Sequence, residues 1–182
     1  MEGHNRRVAE LSVAIGRQLG MGAADLRVLA RSGLLHDIGK LGIPDAILQK
    51  NGALSASEWE VMKTHPEIAL AILGRVGHFK RELLAVLYHH ERMDGSGYPH
   101  GLVAEAIPIE ARIVAVADTY DALTSGRPYR KRCDRSAATS ILREEAGTHL
   151  DLRVVDALIR FVEAQIPTHG ASRHRLGAAV AV

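Results

Sequence analysis

The sequence predicts an all-α domain, and three observations support this fold class. Apolar residues recur at helical spacing, as at Val8, Leu11, Ile15 and Leu19. Aromatic residues make up only 4% of the chain, so aliphatic side chains must form the core, a composition that favours packed helices. Alternating apolar and polar residues, the pattern of half-buried strands, are scarce. We expect a bundle of roughly seven to nine helices with one functional loop.

The length and the cysteine content limit the organisation of the chain. With 182 residues it has the size of one domain, which we place at residues 1–167, followed by a tail at 168–182 that lacks periodicity and is predicted to be disordered. No apolar run approaches the roughly 20 residues of a membrane span, and no signal-peptide core is present. Cys133 is the single cysteine, so a metal site must use nitrogen and oxygen ligands. A cytoplasmic location is expected.

The helices of the first half are separated by glycine and proline. Gly42-Ile43-Pro44 breaks the second helix, and Pro66 forces a break that leaves His65 at a helix junction. Ser55 and Glu58 have the spacing of a capping box. The predicted helices cover 8–19, 25–35, 45–49, the capped segment through Lys63, 66–75 and 81–91.

The second half combines one long loop with three further helices. The glycines and the proline of 92–101 indicate an irregular segment, and such a loop in a helical domain is often functional. A helix over 109–123 follows, with Asp118 embedded in an apolar run, and then a basic turn at 127–132. Asp134 and Asp151 are predicted N-caps of helices that end near residues 146 and 166.

A His36-Asp37 pair at the end of a buried helix is the centre of the predicted site. Neighbouring helical residues point roughly 100° apart, which suits two adjacent metal ions bridged by the carboxylate better than one ion. Lys40 follows His36 by four residues and is expected on the same helix face, where its ammonium could hold a phosphate oxygen.

Further histidines and aspartates have positions that fit this site. Five of the ten histidines fall at predicted helix ends or breaks, and two aspartates interrupt apolar runs, where a buried carboxylate needs a cation or hydrogen-bond partners. Any one of these histidines could equally be a satisfied structural residue. Metal binding would satisfy all seven together: His4, His36, Asp37, His65, His89, His90 and Asp118.

The type of ligand indicates both the metal and the chemistry. Imidazole and carboxylate without thiolate suit iron, manganese, zinc or nickel better than calcium or magnesium. Two such ions about 3.5–4 Å apart activate the water between them and stabilise both oxygens of an in-line displacement. The site therefore predicts hydrolysis of a phosphate ester. The net charge of +2 is too small for a duplex-binding surface, so neither nucleic acid nor a membrane is an expected partner, whereas a small anion fits.

The motifs of the chain resemble those of the HD-GYP phosphodiesterases, a bacterial branch of the HD metal-hydrolase superfamily. The resemblance extends from His4 to about Ile166. It rests on His-Asp-Ile-Gly-Lys at 36–40, Lys-Thr-His-Pro at 63–66, His-His-Glu at 89–91, Asp-Gly-Ser-Gly-Tyr-Pro at 94–99, the segment 116–123, Arg-Pro-Tyr-Arg at 127–130 and Gly-Thr-His at 147–149.

This resemblance implies an HD-type helical bundle that hydrolyses the second messenger cyclic di-GMP to linear pGpG, to GMP or to both. The metal ligands would be the seven residues above, holding iron or manganese. Asp37 and Lys40 would be catalytic, with Lys40 on the scissile phosphate. The implied substrate-binding residues are Lys40, Asp94, Gly97, Tyr98, Pro99, Arg127 and Arg130.

Several features of the predicted site stay open. Family members with a third metal carry a glutamate four residues before the histidine that matches His4; this position precedes Met1, so we expect two ions, although a longer chain could supply the glutamate. Glu91 could orient a ligand histidine or be an exposed helix-end residue.

The resemblance also implies partners and leaves alternative functions. Diguanylate cyclase domains are expected to dock on the Gly97-Tyr98-Pro99 loop, and a second copy of the chain is a further candidate partner. Two alternative functions remain, a phosphohydrolase for another cyclic dinucleotide and a catalytically weak module that senses nucleotide or docks onto a cyclase.

Overall fold

The computed structural model of the protein is entirely helical over the residues that it describes, which are 2–77, 79–125 and 133–165. Within these ranges extended backbone pairs only at two isolated bridges, Asp94–Val103 and Ala146–Leu150. The all-α prediction is therefore confirmed. The described residues form nine helices, α1 (Glu2–Gln18), α2 (Ala23–Leu35), α3 (Asp45–Leu48), α4 (Ala56–Met62), α5 (His65–Leu73), α6 (Lys80–Tyr88), α7 (Ile109–Thr124), α8 (Arg135–Glu145) and α9 (Leu152–Ala164), with short 3-10 turns at Ile38–Gly42 and Ala104–Ala106.

The predicted helix starts agree with the observed caps. The Ser55 hydroxyl accepts from the Glu58 amide at 3.3 Å, and the Ser55 amide donates to the Glu58 carboxylate at 2.6 Å, which completes the capping box. Asp134 and Asp151 accept backbone N–H groups at the starts of α8 and α9. Helix α1 begins earlier than the apolar stripe indicated, so His4 lies within it. The basic turn at 127–132 and the predicted tail at 168–182 lie outside the described residues.

The main core is built around α7, which packs against α1, α2, α6, α8 and α9. Its buried residues include Ile113, Val114 and Val116, on several sides of the helix, as expected for a central helix. A smaller apolar cluster of Ala69, Leu73 and Val86 joins α5 to α6. The two clusters bring the ends of α2 and α6 and the start of α5 to one region. No helix in the described part of the chain is long and apolar enough to cross a membrane.

Gly39 allows the turn after α2 to approach α5 closely. A Cβ atom at this position would lie 1.8 Å from the His65 carbonyl oxygen and 2.7 Å from the Ala69 amide nitrogen. Both contacts are with backbone, which cannot rotate away as a side chain can. Only glycine at residue 39 therefore allows the turn to lie this close to α5, and this approach sets the position of His65.

We predict that Gly39→Ala destabilises the domain by at least about 1–3 kcal/mol, because the methyl group must push α5 away from the turn. The midpoint of thermal unfolding, followed by circular dichroism, measures this effect. Gly77→Ala is the matched control, since a Cβ there meets nothing within 4 Å. An unchanged midpoint in the Gly39 variant would contradict the proposed close packing.

Candidate metal centre

Three buried histidines have the same hydrogen-bond arrangement. The Nδ1 atom of His36 lies 2.8 Å from the Gly33 carbonyl oxygen, that of His65 lies 2.9 Å from the Met62 oxygen, and that of His89 lies 2.7 Å from the Val86 oxygen. A carbonyl only accepts, so each Nδ1 carries the proton and each Nε2 carries a lone pair.

These bonds exist because each histidine follows the end of a helix. The last carbonyls of a helix have no partner within it, and here the imidazole three residues later donates to one of them. His36 follows α2, His65 follows α4 and His89 follows α6. Their Nε2 atoms are buried and have no hydrogen-bond partner within the described part of the chain. A buried acceptor without a partner is costly, and a metal ion would satisfy all three.

The candidate ligands form two clusters. Helix α1 contributes His4 to the first cluster, and α7 contributes Asp118, whose Oδ1 lies 3.3 Å from His4 Nε2 and 4.0 Å from His36 Nε2. In each cluster the ligand atoms lie within 4.8 Å of one another, close enough to surround one ion. The two clusters are His4, His36 and Asp118, and His65, His89 and His90.

Asp37 lies between the two clusters. Its Oδ2 atom is 3.6 Å from His36 Nε2 and 3.9 Å from His4 Nε2, whereas its Oδ1 atom is 3.7 Å from His65 Nε2. One carboxylate oxygen therefore faces each cluster, which is the arrangement of a bridging ligand. The structure thus brings together all seven residues that the sequence selected, with Asp37 at the centre.

Lys40 lies in the site, but its backbone conformation differs from the one predicted. Helix α2 ends at Leu35, and Lys40 lies on the following 3-10 turn, so the expectation that it shares a helix face with His36 is wrong. The tighter turn instead places Lys40 against Asp37, three residues earlier, with its Nζ atom 2.6 Å from Asp37 Oδ2. The Lys40 side chain is 26% exposed, so it can meet a ligand that enters from solvent.

Burial keeps three of the histidines neutral. It lowers the pKa of His65, lowers that of His89 to about 3 with further reduction by neighbouring His36, and lowers that of His90 well below its usual value. A neutral imidazole is the form that binds a metal. The donor set of imidazole nitrogens and carboxylates, without thiolate, fits a transition-metal ion.

The carboxylates remain ionised despite their surroundings. Burial alone would raise the pKa of Asp37, but nearby positive charge, including the Lys40 ammonium 2.6 Å from Oδ2, holds it below its usual value. Burial alone would raise the pKa of Asp118 too, but the hydrogen bond from His4 and the neighbouring imidazoles together lower it. The same bond to Asp118, with a second to Asp121, raises the pKa of His4 to about 9. Two negative charges therefore remain available in the site.

Asp121 orients His4, a role that the sequence analysis missed. Its Oδ2 lies 2.7 Å from His4 Nδ1, which leaves Nε2 of that ring directed towards Asp118. Arg7 donates to both oxygens of the buried Asp121 at 2.6 and 3.0 Å, and the Ser125 hydroxyl donates at 3.0 Å. The available signal was the spacing of three residues between Asp118 and Asp121 on α7 and between His4 and Arg7 on α1, which places each pair on one helix face.

Glu91 fixes the long loop, and it has neither of the two roles that the sequence left open. The residue is only 4% exposed, so it is not a surface glutamate. Its two carboxylate oxygens accept the amides of His100 and Leu102 at 2.7 and 3.0 Å. Both bonds close the loop upon itself and do not involve a candidate ligand histidine.

The closed loop places Tyr98 over a candidate metal ligand. The Tyr98 amide donates to the His90 carbonyl at 3.2 Å, and the two rings stack with centroids 4.8 Å apart and an angle of 24°. Gly97 permits this approach, since a Cβ there would lie 2.4 Å from the Arg92 amide nitrogen. Pro99 follows through a cis peptide bond. Of the three predicted substrate-binding residues in this loop, Tyr98 thus borders the histidine cluster, with Gly97 and Pro99 on either side of it in the chain.

The other predicted substrate-binding residues differ in position. Asp94 is exposed, and its carboxylate accepts the Ser96 amide at 2.9 Å and faces His149 Nε2 at 3.7 Å. It therefore contacts the loop and the α8–α9 connection. Arg127 and Arg130 lie outside the described residues.

The fold and the seven converging ligands define an all-helical domain with a candidate binuclear metal site. The profile of the HD domain family matches residues 1–154, and the chain belongs to this family. Among solved structures, the fold is similar to that of Bd1817, an HD-GYP-type protein from Bdellovibrio bacteriovorus, with a TM-score of 0.73 and 22% identity over 89% of this chain and 52% of that one.

Within the family, the chain is related to HD-GYP cyclic di-GMP phosphodiesterases. It is 47% identical over 85% of its length to the cyclic di-GMP phosphodiesterase response regulator RpfG of Xanthomonas campestris, of which it covers 41%. It is 42% identical over 86% of its length to a cyclic di-GMP phosphodiesterase of Thermotoga maritima and covers 43% of that protein. A 3'3'-cGAMP-specific phosphodiesterase of Vibrio cholerae is 40% identical over 86% of the chain, with 34% of its length covered. The chain thus spans less than half of these relatives.

We predict that Asp121→Asn weakens metal binding about 10- to 100-fold, because the amide no longer holds His4 as a charged acceptor does. Titration with Mn²⁺, followed by electron paramagnetic resonance of the free ion, measures the affinity. Asp156→Asn removes an exposed aspartate of α9 and should leave the titration unchanged. Equal affinities of the two variants would refute the orienting role.

Proposed function

We propose that this domain is a metal-dependent phosphodiesterase that hydrolyses cyclic di-GMP to linear pGpG, to GMP or to both. The observation that carries the proposal is the position of Asp37, with one carboxylate oxygen facing each of the two candidate ligand clusters. Relatives at 47% and 42% identity are cyclic di-GMP phosphodiesterases, which supports the substrate class. The donor set supports two transition-metal ions, and the resemblance to the HD-GYP family implies iron or manganese.

The residues of the chain have separate roles in this reaction. His4, His36, Asp37 and Asp118 would hold one ion, and Asp37 with the remaining three histidines would hold the other. Such a pair of ions supplies an activated water and neutralises charge at the phosphate. The backbone carbonyls that accept from His36, His65 and His89 fix the ring orientations before substrate arrives, so little reorganisation is needed.

Lys40 is placed to act on the substrate phosphate. Its Nζ lies beside the bridging carboxylate and is partly exposed, so it can donate to a non-bridging phosphate oxygen while still paired with Asp37. The extra negative charge that a phosphodiester develops during attack would strengthen this contact. Tyr98 covers His90 and limits the access of water to that ligand. Roles for Asp94, Gly97, Pro99, Arg127 and Arg130 on the substrate remain predictions.

A second substrate has specific support. Three relatives in Vibrio cholerae, at 37–40% identity, are specific for 3'3'-cGAMP, which differs from cyclic di-GMP in one base. The candidate ligand clusters would contact the phosphate and cannot distinguish these bases. The rates at which the same protein hydrolyses the two nucleotides therefore decide between the two substrates. Docking of diguanylate cyclase domains on the Tyr98 loop and formation of a homodimer remain predictions from the resemblance.

We predict that Asp37→Ala lowers turnover of cyclic di-GMP by more than about 100-fold, because both clusters lose a ligand. Loss of a residue that only supports a metal ligand typically costs about 10- to 100-fold. Chromatography of products from anaerobic, manganese-loaded protein measures turnover, and mass spectrometry of the same sample measures metal content. Full activity with full metal content would refute the bridging role.

We predict that Lys40→Ala lowers kcat by about 100-fold or more while metal content is retained, because the phosphate loses a preorganised cation. The same assay, with metal content measured in parallel, separates catalysis from site assembly. Lys80→Ala removes an exposed lysine at the start of α6 and should match the unaltered protein. Loss of metal together with activity would show that Lys40 supports the site structurally.

A further inference from the structure

Trp59 is the single tryptophan of the chain and remains 46% exposed on α4. Its indole contacts the Tyr98 ring edge to face, with centroids 6.4 Å apart and an angle of 81°. Tyr98 in turn stacks on His90 and lies 6.5 Å, centroid to centroid, from His65. A series of aromatic rings therefore runs from two candidate metal ligands outwards to a partly exposed indole.

The two outer rings differ in what they offer a ligand. Tyr98 has one face covered by His90, so that face is closed to a nucleobase. Trp59 touches Tyr98 only at an angle near perpendicular and keeps about half of its surface exposed. An exposed aromatic residue alone is ordinary, but Trp59 contacts Tyr98, which stacks on the candidate ligand His90.

The position of Trp59 is fixed with respect to the candidate metal site. Met62, the last residue of α4, accepts the Nδ1 proton of His65, and Trp59 precedes it by three residues, on the same face of the helix. The Ser55 capping box holds the start of this helix. On the other side, Glu91 holds the loop that carries Tyr98. The helix that carries Trp59 and the loop that carries its partner Tyr98 are thus both held in place before a ligand binds.

We propose that Trp59 stacks on one purine base of the cyclic dinucleotide, while the phosphate lies at the candidate metal centre. This assignment rests on the proposed function, since it places the base beside a phosphate that Lys40 contacts at the candidate metal centre. Stacking on an indole depends on the π-face of a base and not on its hydrogen-bonding edge. Trp59 therefore provides affinity for guanine and adenine alike.

The emission of Trp59 tests the contact directly, because no other tryptophan contributes. Metal-loaded protein is titrated with GMP and, as the matched ligand without a base, with ribose 5-phosphate. Saturable quenching by GMP, after correction for absorption, with none by ribose 5-phosphate, is the expected result. No quenching by GMP, or equal quenching by both, overturns the assignment.

Kinetics of two variants provide the second test. Trp59→Ala should raise KM for cyclic di-GMP roughly 5- to 100-fold, with kcat changed by less than about twofold because the stack is present in ground and transition states alike. Trp59→Phe should recover most of the affinity, and Leu152→Ala, which truncates an exposed side chain at the start of α9, should leave KM unchanged.

The outcomes separate this assignment from the proposed function. Hydrolysis by the unaltered protein with an unchanged KM in Trp59→Ala overturns the stacking role alone. A fall in kcat without a rise in KM also overturns it, because this pattern would indicate a disturbed Tyr98 loop. If the unaltered protein hydrolyses no cyclic dinucleotide, the proposed function fails, and GMP-specific quenching still decides whether Trp59 binds a base.

Discussion

The structure of the site depends on one repeated interaction, the hydrogen bond from a histidine Nδ1 to the carbonyl three residues earlier. His36, His65 and His89 each make it at the end of a helix, where such carbonyls lack a partner. The bond fixes the tautomer and turns Nε2 inwards. Three helix ends that meet at one site therefore produce three convergent lone pairs.

Without bound metal ions, this arrangement of the site lowers the stability of the fold. Three buried Nε2 atoms lack hydrogen-bond partners among the described residues, and each such group costs about 1–3 kcal/mol. Asp37 and Asp118 stay ionised in buried or partly buried positions, with His4 beside Asp118 and Lys40 beside Asp37. A divalent ion in each cluster would relieve both problems, so metal binding and folding are expected to be coupled.

The sequence predicted the fold and the seven candidate ligands because both leave local signals. Apolar spacing marked the helices, and proline or glycine marked their ends, where the histidines lie. The position of Lys40 was predicted for the wrong reason, since a change from α-helix to 3-10 turn after Leu35 has no clear signal in His36-Asp37-Ile38-Gly39-Lys40.

The supporting residues were harder to predict because their partners are distant in the chain. Asp121 meets His4 from 117 residues away, and Glu91 bonds the loop amides nine and eleven residues later. The neighbouring residues in sequence do not indicate which N–H groups the carboxylates of Asp121 and Glu91 accept. Only the packing of α1 against α7, and the closure of the loop around Gly97, determine these bonds.

The most direct test of the account is an anaerobic assay in which metal content and products are measured on one sample with cyclic di-GMP. The account predicts about two iron or manganese ions per chain and linear pGpG or GMP in proportion to the metal bound. Protein that carries both ions and forms no product from cyclic di-GMP or 3'3'-cGAMP would contradict it.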